Sequence, residues 1–103
     1  MKEIKQNIRY LGFENIQDGS RRFDFAITSP GAGATPVSLS IPGLMFTGPN
    51  RISFQESAKI CYEKLRVLLE ESTIQEPVRI SLTDEDIARF RHIPRGQSRI
   101  QKA

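Results

Sequence analysis

Ser53 to Glu71 reads as one complete amphipathic helix, and such a helix needs an apolar surface to lie on. Ser53 is followed three residues later by Glu56, the spacing of a capping box, in which each side chain satisfies the other's free backbone N–H. Phe54, Ala58, Cys61, Leu65, Leu68 and Leu69 then recur at steps of three and four. At about 100° per residue they fall within an arc of roughly 100°, the width of a core-facing stripe. Gln55, Glu56, Lys59, Glu63, Arg66 and Glu70 take the opposite arc. Ile60 and Val67 lie off the main stripe and need cover of their own. A second helix carrying Ile87 and Phe90 is expected to supply it, and another subunit is the alternative.

The flanking segments supply the surface. Ile8 to Ile16 reads as extended, with Gly12 as a bulge position. Asp18-Gly19 is a hairpin turn signal, because glycine tolerates positive φ. Arg22 to Thr28 alternates, with Phe23, Phe25 and Ile27 on one face, so the two segments are predicted to pair antiparallel. Ser29 to Pro36 reads as a flexible loop bounded by prolines. Val37, Leu39 and Ile41 form a third alternating segment, ended by Pro42-Gly43, and Val78, Ile80 and Leu82 form a fourth after Pro77. Thr83 to Asp86 is a second capping box, with Leu82 and Ile87 placed as a hydrophobic staple across it. A short helix should run from Asp84 to about His92, its start favoured by three acidic residues at the positive end of the helix dipole.

The fold class that follows is α+β. It is a two-layer sandwich in the order β-β-β-α-β-α, with a mostly antiparallel four-stranded sheet, one long helix packed on one face and a short C-terminal helix. Residues 1–93 read as a single domain and residues 94–103 as a flexible basic C-terminal tail. The unit joining the third and fourth strands should cross over right-handedly.

No uninterrupted apolar run exceeds three residues, whereas a membrane span needs about 20. The first ten residues, MKEIKQNIRY, carry no apolar stretch of the length a secretory signal requires. With a single cysteine no internal disulfide can form, and the expected setting is cytoplasmic. The net charge of +3 is uneven: residues 1–50 carry +1, residues 51–88 carry −3 and residues 89–103 carry +5.

Residues with reactive side chains do not assemble into a motif. Cys61 falls mid-helix within the apolar arc, where a thiol packs in the core and does not act as a nucleophile. His92 sits at a helix end among arginines, with no carboxylate to hold it as a general base. One histidine and one cysteine do not make up the usual zinc ligand sets. Asp84, Glu85 and Asp86 point in different directions on a helix, and capping accounts for them without a cation. Gly31-Ala32-Gly33 lacks the lysine of a phosphate-binding loop and is not followed by a helix. No catalytic residue, metal site or cofactor is expected.

Two surfaces are candidates. Leu44, Met45 and Phe46, flanked by glycine and proline, together with Ile60 and Val67, could meet a protein partner. Arg89, Arg91, His92, Arg95 and Arg99 form the basic cluster that could contact an anion or nucleic acid. The expectation is a small non-catalytic binding or adaptor domain acting through protein contacts with an unknown partner or with itself as a homodimer. The alternative is nucleic-acid binding through the Arg-rich C-terminal segment. The second alternative is a small enzyme whose pocket, built from several of Tyr10, Glu14, Arg22 and Asp24, forms only on folding.

Overall fold

The computed structural model describes residues 6–31 and 33–91. Strands β1 (Asn7–Asn15), β2 (Arg21–Ser29) and β3 (Gly33–Ile41) form an antiparallel meander. Helix α1 (Phe54–Glu71) then carries the chain to β4 (Val78–Ser81), which pairs parallel with β3, and α2 (Asp84–Arg91) follows. The strand order is β1-β2-β3-β4. This is the predicted α+β sandwich, with β1 and β4 as the two edges. The predicted tail, residues 94–103, lies outside the described residues.

Alternation on β2 and β3 sets the core. Phe23, Phe25, Ile27, Val37, Leu39 and Ile41 are all at most 1% exposed, and they face Ile60, Cys61 and Leu65 of α1 within one apolar cluster. Fully burying each large side chain of this kind stabilises the fold by roughly 1.5–3 kcal/mol. The other face of these strands carries Arg22, Asp24, Ser38 and Ser40, and no helix among the described residues packs on it.

The buried arc of α1 is rotated from the one read off the sequence. Ile60, expected off the stripe, is only 2% exposed, and Phe54, expected in the core, is half exposed. The reason is α2. Its Ile87 and Phe90 join the same cluster as Ile60, so α1 is covered on two sides, by the sheet and by α2. Ser57 also enters this arc, its buried hydroxyl donating to the Phe54 carbonyl at 2.6 Å.

One connection follows expectation and one differs. The expected hairpin joins β1 and β2, with Asp18-Gly19 inside its five-residue loop, residues 16–20, and Gly19 at positive φ. The Asp18 carboxylate accepts hydrogen bonds from both the amide and the hydroxyl of Ser20, closing the loop locally. The expected flexible loop from Ser29 to Pro36 is mostly strand. Ser29 pairs with Gly33, and β3 runs through Pro36. Proline is tolerated there because β4 begins to pair only at Val37, so the missing Pro36 N–H breaks no bond on that side.

The β1–β2 loop touches the turn after β3. Gly19 is at φ +94°, and a Cβ on Gly43 would stand 2.8 Å from the Gly19 carbonyl carbon and oxygen. Backbone meets backbone here, so neither side can yield by rotating a side chain. Gly43→Ala is therefore expected to cost about 1–3 kcal/mol in denaturant unfolding, the range for forced overpacking. An unchanged midpoint would show that the two turns do not pack this closely.

Candidate functional site

The open sheet face brings together three of the four residues expected for an enzyme pocket. Arg22 Nε donates to Asp24 Oδ1 at 3.0 Å, and Arg22 Nη2 donates to Glu14 Oε1 at 2.6 Å. Ser38 Oγ donates to the same Asp24 oxygen at 2.9 Å. Tyr10 is not part of this set. It lies on the other face, its ring 5.4 Å from that of Phe25. Both carboxylates converge on one guanidinium, which Asp24 and then Glu14 hold in its charged form. This is an ion-pair network on a sheet face, without an acid and a base set apart for proton transfer. Among the described residues, no three His, Cys, Asp or Glu side chains are grouped to hold a metal.

Cys61 is buried in the core as expected, and desolvation pushes its thiol pKa up to about 12. A thiol held protonated is a poor nucleophile.

The candidate anion cluster is divided. His92, Arg95 and Arg99 lie outside the described residues. Arg89 is exposed, with its guanidinium 5.0 Å from the centre of the Phe90 ring. Arg91 is engaged inside the fold. Its Nε donates to Glu56 Oε2 at 3.1 Å, and its terminal nitrogens donate to the carbonyls of Asn50 and Arg51 at 2.7 and 3.0 Å. Glu56 is also the capping residue of α1, accepting the Ser53 amide at 3.0 Å. The second helix repeats the device. Asp86 accepts the Thr83 amide at 3.1 Å and takes Lys64 of α1 at 2.9 Å. Each cap carboxylate is thus paired with a cation from the other helix.

The candidate apolar segment also divides. Gly43–Phe46 forms a 3-10 turn, in which Met45 and Phe46 are half-buried against the core while Leu44 is 81% exposed. Val67 is half-buried in the same way. Ile60, in the core, has no surface left for a partner.

The most prominent apolar surface is one the sequence reading did not assemble. Tyr10, Leu11 and Phe13 of β1 and Phe54 and Tyr62 of α1 are each 41–55% exposed. Tyr10 and Phe13 share the helix-facing side because the β1–β2 register shifts between Tyr10 and Gly12. Gly12, at φ +143° with no atom near its missing Cβ, is needed there for backbone conformation and not for space. The Phe13 ring lies 4.7 Å from Phe54, edge on, and the Arg21 guanidinium lies 5.3 Å above Phe54 and 4.5 Å above Phe46. Tyr62 lies further along α1, beside Ile8, Arg66 and Leu69, in a shallow depression of about 360 Å³. Beneath this strip runs the outer edge of β1, which pairs with no strand among the described residues.

The chain matches no protein-family model, no curated protein and no solved structure.

The helix contacts give two measurable consequences. Arg91→Ala is expected to destabilise the fold by roughly 1.5–3 kcal/mol, the range for hydrogen bonds to charged groups. Combined with Glu56→Ala, the loss in urea unfolding should fall short of the sum of the two single losses, since they share one interaction. Strict additivity would dissociate the pair. For Asp86, burial pushes the carboxyl pKa up, but the Thr83 amide and Lys64 outweigh it and hold it below the usual range. The unfolded chain therefore takes up this proton first, and the stabilisation, complete at neutral pH, fades as the pH drops below about 4. Thermal unfolding of Asp86→Asn should be less steep in pH over that acid window than the parent; parallel curves would remove Asp86 from the account.

Proposed function

We propose that this chain is a small non-catalytic binding domain that acts through protein contacts, and that its contact surface is the outer edge of β1 with the aromatic strip beside it. The observation that carries this reading is the coincidence of the two. An unpaired strand edge offers a row of backbone donors and acceptors, and an arriving strand can complete them. The strip of Tyr10, Phe13, Phe54 and Tyr62 offers apolar area next to that row. Backbone bonds supply affinity in such recognition, and neighbouring side-chain pockets supply selectivity.

The two edges of the sheet differ in a way that supports the choice. β4 spans four residues directly after Pro77, whereas β1 spans nine without a proline. Short strands and prolines are means by which proteins protect an edge, and β1 uses neither. Cys61 is buried, and Glu14, Arg22 and Asp24 hold one another in ion pairs, which fits binding better than catalysis. A reducing, cytoplasmic compartment belongs to the same reading, because the sole cysteine is a buried free thiol. No helix among the described residues is long and apolar enough to cross a membrane.

Site-specific photo-crosslinking in cells tests the surface. Benzoylphenylalanine in place of Leu11 should give protein adducts, and the same group in place of Glu85, exposed on α2, should give none. No adduct at Leu11, or equal yields at both positions, would reject the β1 edge as the contact surface.

A further inference from the structure

Resting on that reading, we propose that the strand received by the β1 edge is β1 of a second copy of this chain, added antiparallel across a two-fold axis between Leu11 and Gly12. The argument comes from the bulge. Before it, Ile8 and Tyr10 face the helices and Arg9 faces the open side. After it, Phe13 faces the helices and Gly12 and Glu14 face the open side. A regularly alternating strand can match these faces on only one side of the irregularity. A second copy carries the same irregularity at the same place.

The registers can be compared directly. Centred on Leu11 itself, self-pairing sets Tyr10 against Gly12 and Arg9 against Phe13, each a helix-side residue against an open-side one. Centred between Leu11 and Gly12, every flanking pair agrees. Tyr10 meets Phe13 of the second copy on the helix side, Arg9 meets Glu14 of the second copy on the open side, and Ile8 meets Asn15. The two-fold axis makes each pair occur twice, as a self-complementary interface requires.

Charge supports the same register. Arg9 is exposed and has no ion-pair partner among the described residues. Glu14 accepts Arg22 on Oε1, and its Oε2 has no hydrogen-bond partner among the described residues. The second guanidinium therefore arrives at an open carboxylate oxygen. On the helix side, Phe54 and Tyr62 of both copies flank the seam, so the aromatic strips close over one another. The product is a continuous sheet of twice four strands, with all helices on one side.

Complementary substitutions decide it. Light scattering on the purified chain across roughly 1–300 µM should show a mass rising from 11.7 kDa towards twice that value. Arg9→Glu and Glu14→Lys each place like charges opposite one another twice, and each should weaken the dimer by about tenfold or more. An equimolar mixture of the two variants sets opposite charges together at both positions and should restore the dimer. That recovery also reports that both variants are folded. Should either variant lose its circular dichroism spectrum, amide exchange on the parent chain takes over: slowing of the β1 amides with concentration supports the dimer, and concentration-independent exchange overturns it. A constant mass of 11.7 kDa, or a dimer insensitive to both variants, or a mixture no better than its parts, overturns self-pairing. A constant monomer that still crosslinks through position 11 to a different protein overturns self-pairing alone and leaves the binding surface standing. Loss of both signals removes both.

Discussion

One sheet face has to be covered, and the chain has two helices with which to cover it. The inward side chains of β2 and β3 make the demand, and α1 meets it over 18 residues. A helix with its side chains is about 10 Å wide, and four strands at about 4.8 Å spacing present a broader surface than one helix spans. The second helix cannot correct the shortfall at β1. It is tethered to β4, at the opposite edge, by Leu82 and Thr83 alone. The inward residues of β2 and β3 are sealed as a result, and Tyr10 and Phe13, their counterparts on β1, remain half exposed. The uncovered edge is thus a consequence of topology, and the aromatic residues found there are those that a wider helical layer would have hidden.

The helices are fixed to each other by the same groups that begin them. A capping carboxylate is already held in place by the backbone N–H it accepts, so less side-chain freedom is lost when it takes a second partner. Glu56 and Asp86 both use this arrangement, the first towards Arg91 and the second towards Lys64. Beyond the hydrogen bonds these groups make, the charge attraction of partly exposed pairs adds little stability. They act on geometry: two contacts at opposite ends of the α1–α2 interface set how far one helix can slide along the other. Arg91 is removed from the basic surface in the process.

What was legible in the sequence was local. Both capping boxes, the alternation of Phe23, Phe25 and Ile27, and the bulge at Gly12 each depend on a few neighbouring residues, and each is present in the fold. The stretch from Ser29 to Pro36 reads as a loop because its glycines and prolines are compatible with one, while the pairing of Ser29 with Gly33 depends on register set further along both strands. Ile60 and Phe54 exchange roles because the buried arc of a helix depends on every element touching it, and Ile87 and Phe90 of α2, which cover Ile60, lie 27 and 30 residues beyond it. The fate of Arg91 was hidden for the same reason, its partners lying 35 to 41 residues away. Part of the exposed strip was hidden more deeply. Phe54 has the spacing of a core residue, and the rotation of the buried arc towards α2 leaves it half exposed beside Phe13.

The apolar segment that the sequence singled out and the edge that the structure singles out are joined by one side chain. Arg21 begins β2, directly opposite the end of β1, and its Nε donates to Asn15 there at 2.8 Å. Its guanidinium lies within 6 Å of the ring centres of Phe13, Phe46 and Phe54 together. A planar, weakly hydrated cation is suited to this position, because it covers aromatic faces while keeping its charge near water. It lets three phenylalanines from a strand, a turn and a helix gather at the surface without forming one bare apolar patch, the usual seed of aggregation. On the turn side, the same cluster continues through Phe46 towards the exposed Leu44. Arg21 thereby covers part of these rings at the hairpin end, while Phe13 and Phe54 stay 45% and 41% exposed.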